Sequence, residues 1–103
     1  MNNYNRWKIP LDFSKGNFSV FLPKDSQDFT VKVIGGTFYL WYTFSTVLDT
    51  TEPFYGSPEH EREFVFIKRK TGEPFVPKPE EFFLDTLEDS DGNHVWHIYY
   101  VIT

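Results

Sequence analysis

The sequence predicts an all-β protein: a small antiparallel sandwich, or a partly open barrel, of about seven strands. Aromatic residues make up 20% of the chain and β-branched residues are frequent, and both types favour a pleated, half-buried surface. Alanine, the best helix former, is absent from all 103 residues. The six glycines and seven prolines fall mostly between apolar runs, where they mark turns. The length corresponds to a single domain over residues 1–103.

The first three strand candidates alternate apolar and polar residues, so that each has one apolar face. They span residues 6–11, 17–22 and 29–34. Their apolar faces carry Trp7, Ile9 and Leu11, then Phe18, Val20 and Leu22, then Phe29, Val31 and Val33. Pro10 has no N–H for a strand ladder, so it indicates an edge strand or a strand end.

The pair Gly35-Gly36 predicts a tight hairpin, because both glycines tolerate the positive φ of a primed turn. It joins the strand ending at Ile34 to a long strand over residues 37–47. That long strand is apolar on both faces, which is typical of a central strand or of one with a second contact surface.

The second half of the chain reads as loops alternating with three more strands. A long loop over residues 48–60 precedes a strand over 61–70, and a proline-rich loop over 71–79 follows it. Residues 81–87 and 94–103 then form a final hairpin around the turn at 89–93, where Asp-Gly and Gly-Asn are preferred turn pairs.

Composition and charge exclude several classes of function. Without cysteine there is no disulfide framework, thiol nucleophile or cysteine-ligated metal site. A net charge of −5 argues against a general nucleic-acid binder. No apolar run approaches the ~18 residues of a membrane span, and the first residues have no secretory-signal pattern.

No catalytic or metal-binding motif stands out, so we expect neither an enzyme nor a cofactor. His94 and His97 are three residues apart in a strand, where alternation sends them to opposite faces. The turn at 89–93 resembles the opening of a calcium loop, but an apolar strand resumes directly after it.

The basic residues indicate a candidate binding site. Lys68, Arg69 and Lys70 end the 61–70 strand, with Arg62 earlier in it, and such a patch suits a phosphate, a small anionic ligand or an acidic partner. Charged strand ends also protect against edge pairing, which is the alternative explanation. The acidic residues crowd instead into positions 80–91. Another hypothesis is that this acidic cluster mimics nucleic acid and thereby blocks a nuclease.

The 21 aromatic residues exceed what a core of this size readily hides. Trp41, Trp96 and Tyr99 are candidates for stacking on a base, beside the cations named above. Surplus aromatic surface also indicates a partner, and we expect a homo-oligomer.

The order of short motifs along the chain resembles a family of short bacteriophage and prophage proteins. The motifs are Lys8-Ile9-Pro10-Leu11, Val20-Phe21-Leu22-Pro23, Leu40-Trp41, Glu61-Arg62-Glu63-Phe64-Val65-Phe66, Thr71-Gly72 and Val95-Trp96-His97-Ile98-Tyr99. Lys70 departs from the pattern, since the family usually has a glycine there. The resemblance implies a phage origin and a site of action in the host cytoplasm, and it implies no particular activity.

These observations favour a non-enzymatic phage protein that acts in the host cell by binding. We expect an inhibitor of an antiviral defence system, which either occupies a host defence protein or sequesters a small anionic signal such as a nucleotide. The alternative is a structural or assembly accessory of the virion. An unrecognised hydrolase is the third possibility. No membrane association is expected.

Overall fold

The computed structural model describes residues 2–47, 61–88 and 92–103, and within them the chain forms seven strands. In chain order the strands are β1 (Asn2–Leu11), β2 (Phe18–Pro23), β3 (Gln27–Ile34), β4 (Thr37–Val47), β5 (Glu61–Lys70), β6 (Glu81–Glu88) and β7 (Val95–Ile102). The predicted loop over 48–60 lies outside the described residues, and so do residues 89–91 of the predicted final turn.

The strands form two antiparallel sheets, which confirms the predicted all-β fold. One sheet has the order β1-β4-β3 and the other has the order β2-β5-β7-β6. The sheets pack face to face as a sandwich and are not closed into a barrel. The strand with two apolar faces, β4, is the centre of its sheet, and β1, which contains Pro10, is an edge strand, as predicted. In the described ranges no helix is long and apolar enough to cross a membrane.

The predicted Gly-Gly hairpin joins β3 to β4. Gly35 and Gly36 have φ values of 58° and 83°, and the flanking residues Ile34 and Thr37 face each other across the turn. Both φ values lie in the left-handed region that a side chain makes unfavourable. This turn sets the pairing of β3 with β4, because a two-residue loop allows only one register.

The core lies between the two sheets and is built by the alternating apolar faces. Val31 and Leu40 of the three-stranded sheet, and Phe66 and Ile98 of the four-stranded sheet, have no exposed surface. Phe29 connects the two layers, since its ring packs edge-on against the rings of three residues of the facing sheet. These are Phe64, Phe66 and Tyr100, at centroid distances of 5.4, 6.0 and 5.2 Å.

Trp7 lies on the predicted face of β1 but is not buried. Alternation places it on the same side of β1 as Ile9 and Leu11, and Leu11 is buried, but the side chain of Trp7 is 58% exposed. It pairs with Tyr42, and in the part of the chain that the structure describes β4 is the only strand beside β1. The inward direction of the Trp7 side chain is therefore not enough to bury it, because burial also requires that part of the other sheet covers this position.

Candidate ligand-binding pocket

A pocket of about 410 Å³ opens at one end of the sandwich, where β1 ends and β4 begins. The end of β1 and the loop after it form one side, the Gly35-Gly36 turn and the start of β4 form another, and β5 and β7 contribute one side chain each. Its lining residues are Pro10, Leu11, Asp12, Phe13, Ser14, Gly36, Thr37, Phe38, Lys68 and Trp96. The volume is in the range of small-molecule sites, roughly 300–1,000 Å³.

The ammonium group of Lys68 is surrounded by aromatic rings in this pocket. Its Nζ lies 4.2 Å from the ring centroid of Trp96, 5.2 Å from that of Phe38 and 5.5 Å from that of Phe13. Aromatic faces attract a cation electrostatically and hold it in place. No carboxylate of the described residues forms an ion pair with Lys68. The pocket therefore presents the positive charge of Lys68 beside planar rings, without an ion pair to any described carboxylate.

Asp12 and Ser14 supply the polar side of the pocket. The backbone N–H of Ser14 donates to Asp12 Oδ1 at 2.9 Å, which closes a short turn directly after β1. Hydrogen bonding from the Ser14 side chain, then from its backbone, lowers the pKa of Asp12. The carboxylate is therefore ionised at neutral pH and suits a hydrogen-bond acceptor better than a general acid.

Strand alternation separates Arg69 from Lys68 although the two are adjacent in sequence. Phe64, Phe66 and Lys68 point into the sandwich, whereas Arg69 points to the outer face of the four-stranded sheet. There its guanidinium binds Glu81 through two hydrogen bonds, Nη1 to Oε2 at 2.5 Å and Nη2 to Oε1 at 2.8 Å.

Two rings cover the Arg69–Glu81 pair. Cζ of Arg69 lies 3.9 Å from the ring centroid of Phe75 and 4.7 Å from that of Tyr99. The proline-rich loop after β5 thus folds back over the outer face of the sheet. Arg69 and Tyr99, both candidates from the sequence, are brought together here and not in the pocket. The charge of Arg69 is neutralised by a carboxylate.

The remaining sequence candidates lie apart from one another. Lys70 is exposed at the end of β5, and Arg62 is exposed near its beginning, about 20 Å from Lys68 along the strand at ~3.3 Å per residue. Trp41 lies on the outer face of the three-stranded sheet, beside Tyr39 and Lys8. Of the seven predicted residues, the structure brings only Lys68 and Trp96 together in the pocket.

The pocket residues that the sequence did not indicate as site residues include Asp12, Phe13, Ser14 and Phe38. A signal for the first three was present, because an Asp two residues before a Ser, directly after a strand, is turn chemistry. Phe38 gave no signal, since its alternation in β4 matches any core residue. Its ring packs edge-on against Phe13 at 5.6 Å and forms part of the pocket wall.

The histidine of β7 is held by two hydroxyl groups. Nδ1 of His97 lies 2.9 Å from Oγ1 of Thr86, and Nε2 lies 2.8 Å from Oγ1 of Thr71. Both ring nitrogens are therefore engaged in joining β6, β7 and the loop after β5. Among the described residues no group of three or more His, Asp or Glu side chains is placed to hold a metal ion.

Comparison with known proteins gives one match. No curated protein matches the chain, and no solved structure matches it. A family model described as a domain of unknown function (DUF7352) matches residues 3–103, which is almost the whole chain. The chain belongs to this domain family, DUF7352.

Proposed function

We propose that this protein is a non-enzymatic binding protein that takes a small anionic ligand with a planar ring in its end pocket. The observation that carries the proposal is the position of Lys68, whose ammonium stands between the rings of Trp96, Phe38 and Phe13. An anionic group pairs with the ammonium, and a base stacks on an exposed ring face. A nucleotide combines both features.

The polar side of the pocket supports binding of a ligand rather than catalysis of its reaction. Asp12 accepts a hydrogen bond from Ser14, which moves its pKa further from the range that favours a general acid or base at neutral pH. Its carboxylate is placed to accept a hydrogen bond, for example from an exocyclic amino group of a base. A hydrolase is therefore the weaker candidate.

The biological setting of the proposal comes from the sequence resemblance. A phage-encoded protein in the host cytoplasm that retains a nucleotide would deprive an antiviral defence system of its signal. The protein would then inhibit the defence system by sequestering its signal. In the alternative mode, without a small ligand, it would inhibit by binding directly to a defence protein. The competing candidate is an accessory of the virion, for which the exposed aromatic residues of the edge strands would serve as contacts.

Self-association is part of the proposal. Among the described strands β1 pairs only with β4, so no described strand covers its outer edge, and Tyr4 and Trp7 on this strand are 63% and 58% exposed. A second copy placing its own β1 antiparallel to this edge would extend the sheet with two-fold symmetry.

Titration calorimetry with AMP, adenosine and inorganic phosphate tests the pocket directly. We expect AMP to bind more tightly than either fragment, and Lys68→Met to weaken AMP binding at least about tenfold, since a charge-assisted contact is lost. Lys70→Met is the matched control, because it removes an exposed cation two residues away.

Two further measurements extend the search beyond AMP. Native mass spectrometry after incubation with a small-molecule extract of host cells should show a retained nucleotide. The proposed ligand site would be overturned if wild type and Lys68→Met bound AMP equally. It would also be overturned if neither calorimetry nor native mass spectrometry detected a bound ligand. Detection of the chain by mass spectrometry of purified phage particles would favour the virion accessory instead.

A further inference from the structure

The outer face of the three-stranded sheet combines cations with aromatic rings, and it is separate from the end pocket. By alternation and strand register, one row across this face is Lys8–Trp41–Thr30 and the next is Pro10–Tyr39–Lys32. Arg6 belongs to the same face, in the row of Thr43. We call these residues, Arg6, Lys8, Lys32, Tyr39 and Trp41, the basic aromatic face.

The rings of this face stand in the central strand and a cation lies above them. Tyr39 and Trp41 are partly exposed, with ring centroids 6.1 Å apart and planes at 61°. Nζ of Lys8 lies 4.9 Å from the Tyr39 centroid and 5.7 Å from the Trp41 centroid. Lys8 and Lys32 are exposed on the two edge strands, so cations flank the rings on both sides.

Arg6 is held in place without being neutralised. Its Nη1 donates to the backbone carbonyl of Asp28 at 2.9 Å and to Thr43 Oγ1 at 3.0 Å, and Nη2 donates to Thr30 Oγ1 at 3.2 Å. All three acceptors are uncharged, and no described carboxylate forms an ion pair with this guanidinium. The remaining donors are available to an anion.

The local charge of this sheet is opposite to that of the whole chain. β1, β3 and β4 carry three cations and a single carboxylate, that of Asp28, whereas the chain has a net charge of −5. Asp25, from the loop before β3, lies at one end of the face, where it accepts a hydrogen bond from the backbone of Ser45 at 2.9 Å. The centre of the face, around Lys8, Trp41 and Lys32, is therefore positive.

We propose that the basic aromatic face binds single-stranded nucleic acid, with bases stacked on Trp41 and Tyr39 and phosphates paired with Arg6, Lys8 and Lys32. Rings supply a sequence-tolerant platform and cations follow the backbone, which is how sheet surfaces bind single strands. Bases in a duplex are stacked on each other and cannot reach the rings. An acidic peptide would use the cations alone and leave the rings unexplained.

Fluorescence anisotropy of a labelled oligothymidylate of about eight nucleotides at low salt tests this face. We expect saturable binding that weakens as salt rises. Trp41→Leu should weaken it about tenfold, since stacking on one ring is lost. The double variant Lys8→Gln/Lys32→Gln changes only exposed side chains, and it should reduce the slope of log K against log salt by about 1.4, at ~0.7 per phosphate contact.

Controls separate this face from the pocket and from general charge. Arg62→Gln/Lys70→Gln removes the same number of exposed cations from the other sheet and should leave the affinity unchanged. Lys68→Met, which disables the proposed pocket, should also leave it unchanged, so the two proposals fail independently. The proposal is overturned if the protein does not bind oligothymidylate, or if Trp41→Leu and Lys8→Gln/Lys32→Gln both bind it as tightly as the wild type does. It is also overturned if polyglutamate at equal charge concentration displaces the oligothymidylate.

Discussion

Arg69 and Glu81 form a bidentate ion pair that connects β5 to β6, although β7 lies between these strands. Both side chains are almost completely buried, at 9% and 4% exposure. Phe75 and Tyr99 cover the guanidinium, and the backbone N–H of Lys78 donates to Glu81 Oε1 at 3.3 Å. The pair therefore fixes the proline-rich loop to the outer face of the sheet.

Removing one partner of this pair should destabilise the protein strongly. Glu81→Gln and Arg69→Met each leave a buried group without its partner, and we expect each to lower the free energy of unfolding by about 3 kcal/mol. The double variant Arg69→Met/Glu81→Leu should cost less than the sum of the two, because no unpaired charge remains. Urea denaturation measures all three, with Glu88→Gln at the exposed end of β6 as the control. Single variants within about 0.5 kcal/mol of wild type would contradict this role.

The same pair should make stability depend on pH in the acid range. Hydrogen bonds from Arg69 lower the pKa of Glu81, and those from Ser19 and Thr103 lower the pKa of Glu63. Because the pKa of each is lower folded than unfolded, the stabilisation is complete above the ordinary value of 4.5 and is lost as pH falls through the folded pKa.

Urea denaturation at a series of pH values from about 6 downwards measures this loss. The slope of unfolding free energy against pH should be positive below about pH 5 and should flatten in Glu81→Gln. An unchanged slope in that variant would show that other carboxylates carry the acid sensitivity.

Gly35 should be replaceable only by residues that accept a positive φ. Its φ is 58°, and no atom lies within 4 Å of the position a Cβ would occupy, so Gly35→Ala meets a backbone cost and no steric clash. We expect a loss of about 1 kcal/mol in unfolding free energy for Gly35→Ala. Gly35→Asn should lose less, because Asn is favoured in primed turns. Equal losses of unfolding free energy in Gly35→Ala and Gly35→Asn would show that the positive φ at this position does not determine which residues the turn accepts.

Phe75 should hold the proline-rich loop, whereas its neighbour Val76 should not. The Phe75 ring lies 3.9 Å from Cζ of Arg69 and 5.6 Å from the Tyr99 ring, but Val76 is 87% exposed. Phe75→Ala should speed hydrogen exchange in the loop and cost about 1 kcal/mol, since a cation–π contact is lost. Val76→Ala should change neither. Equal exchange in the two variants would show that other contacts hold the loop.

Trp7 should control self-association through the outer edge of β1, which no described strand covers. Analytical ultracentrifugation of the wild type should show a dimer that Trp7→Ser converts to monomer, because the ring is 58% exposed on that edge. Phe21→Ser, on the edge strand β2 of the other sheet, removes a side chain of similar exposure, 62%, and should leave the dimer intact. A monomeric wild type would contradict the dimer.

Local patterns were sufficient to predict most strands and one hairpin. Strand periodicity placed β5 at its observed bounds, and the Gly-Gly pair located the β3–β4 turn. The same reasoning started β1 four residues late, since its first residues are polar. It placed Trp7 on the same face as Ile9 and Leu11, as observed, but that face does not bury the Trp7 side chain. Both observations concern an edge strand, where a polar side chain is tolerated and an inward side chain can remain exposed.

The candidate site was predicted only in part, because chain neighbours on a strand point to opposite faces. Lys68 and Arg69 read as one basic patch, yet one lies in the pocket and the other binds Glu81 outside it. Glu81 is twelve residues further along the chain, and no local signal connects it to Arg69. Asp12 and Phe38 reach the pocket only because the end of β1 lies beside the start of β4.

The amino-acid sequence by itself determined that this chain forms strands, where most of them lie and which side of each is apolar. These are consequences of residue type and of a period of two, both of which act over a few neighbouring residues. Tertiary structure alone decided how the seven strands divide between two sheets, which cations are neutralised and which rings stand beside Lys68. Those outcomes depend on contacts between residues far apart in the chain, and packing selects them only when the whole core assembles.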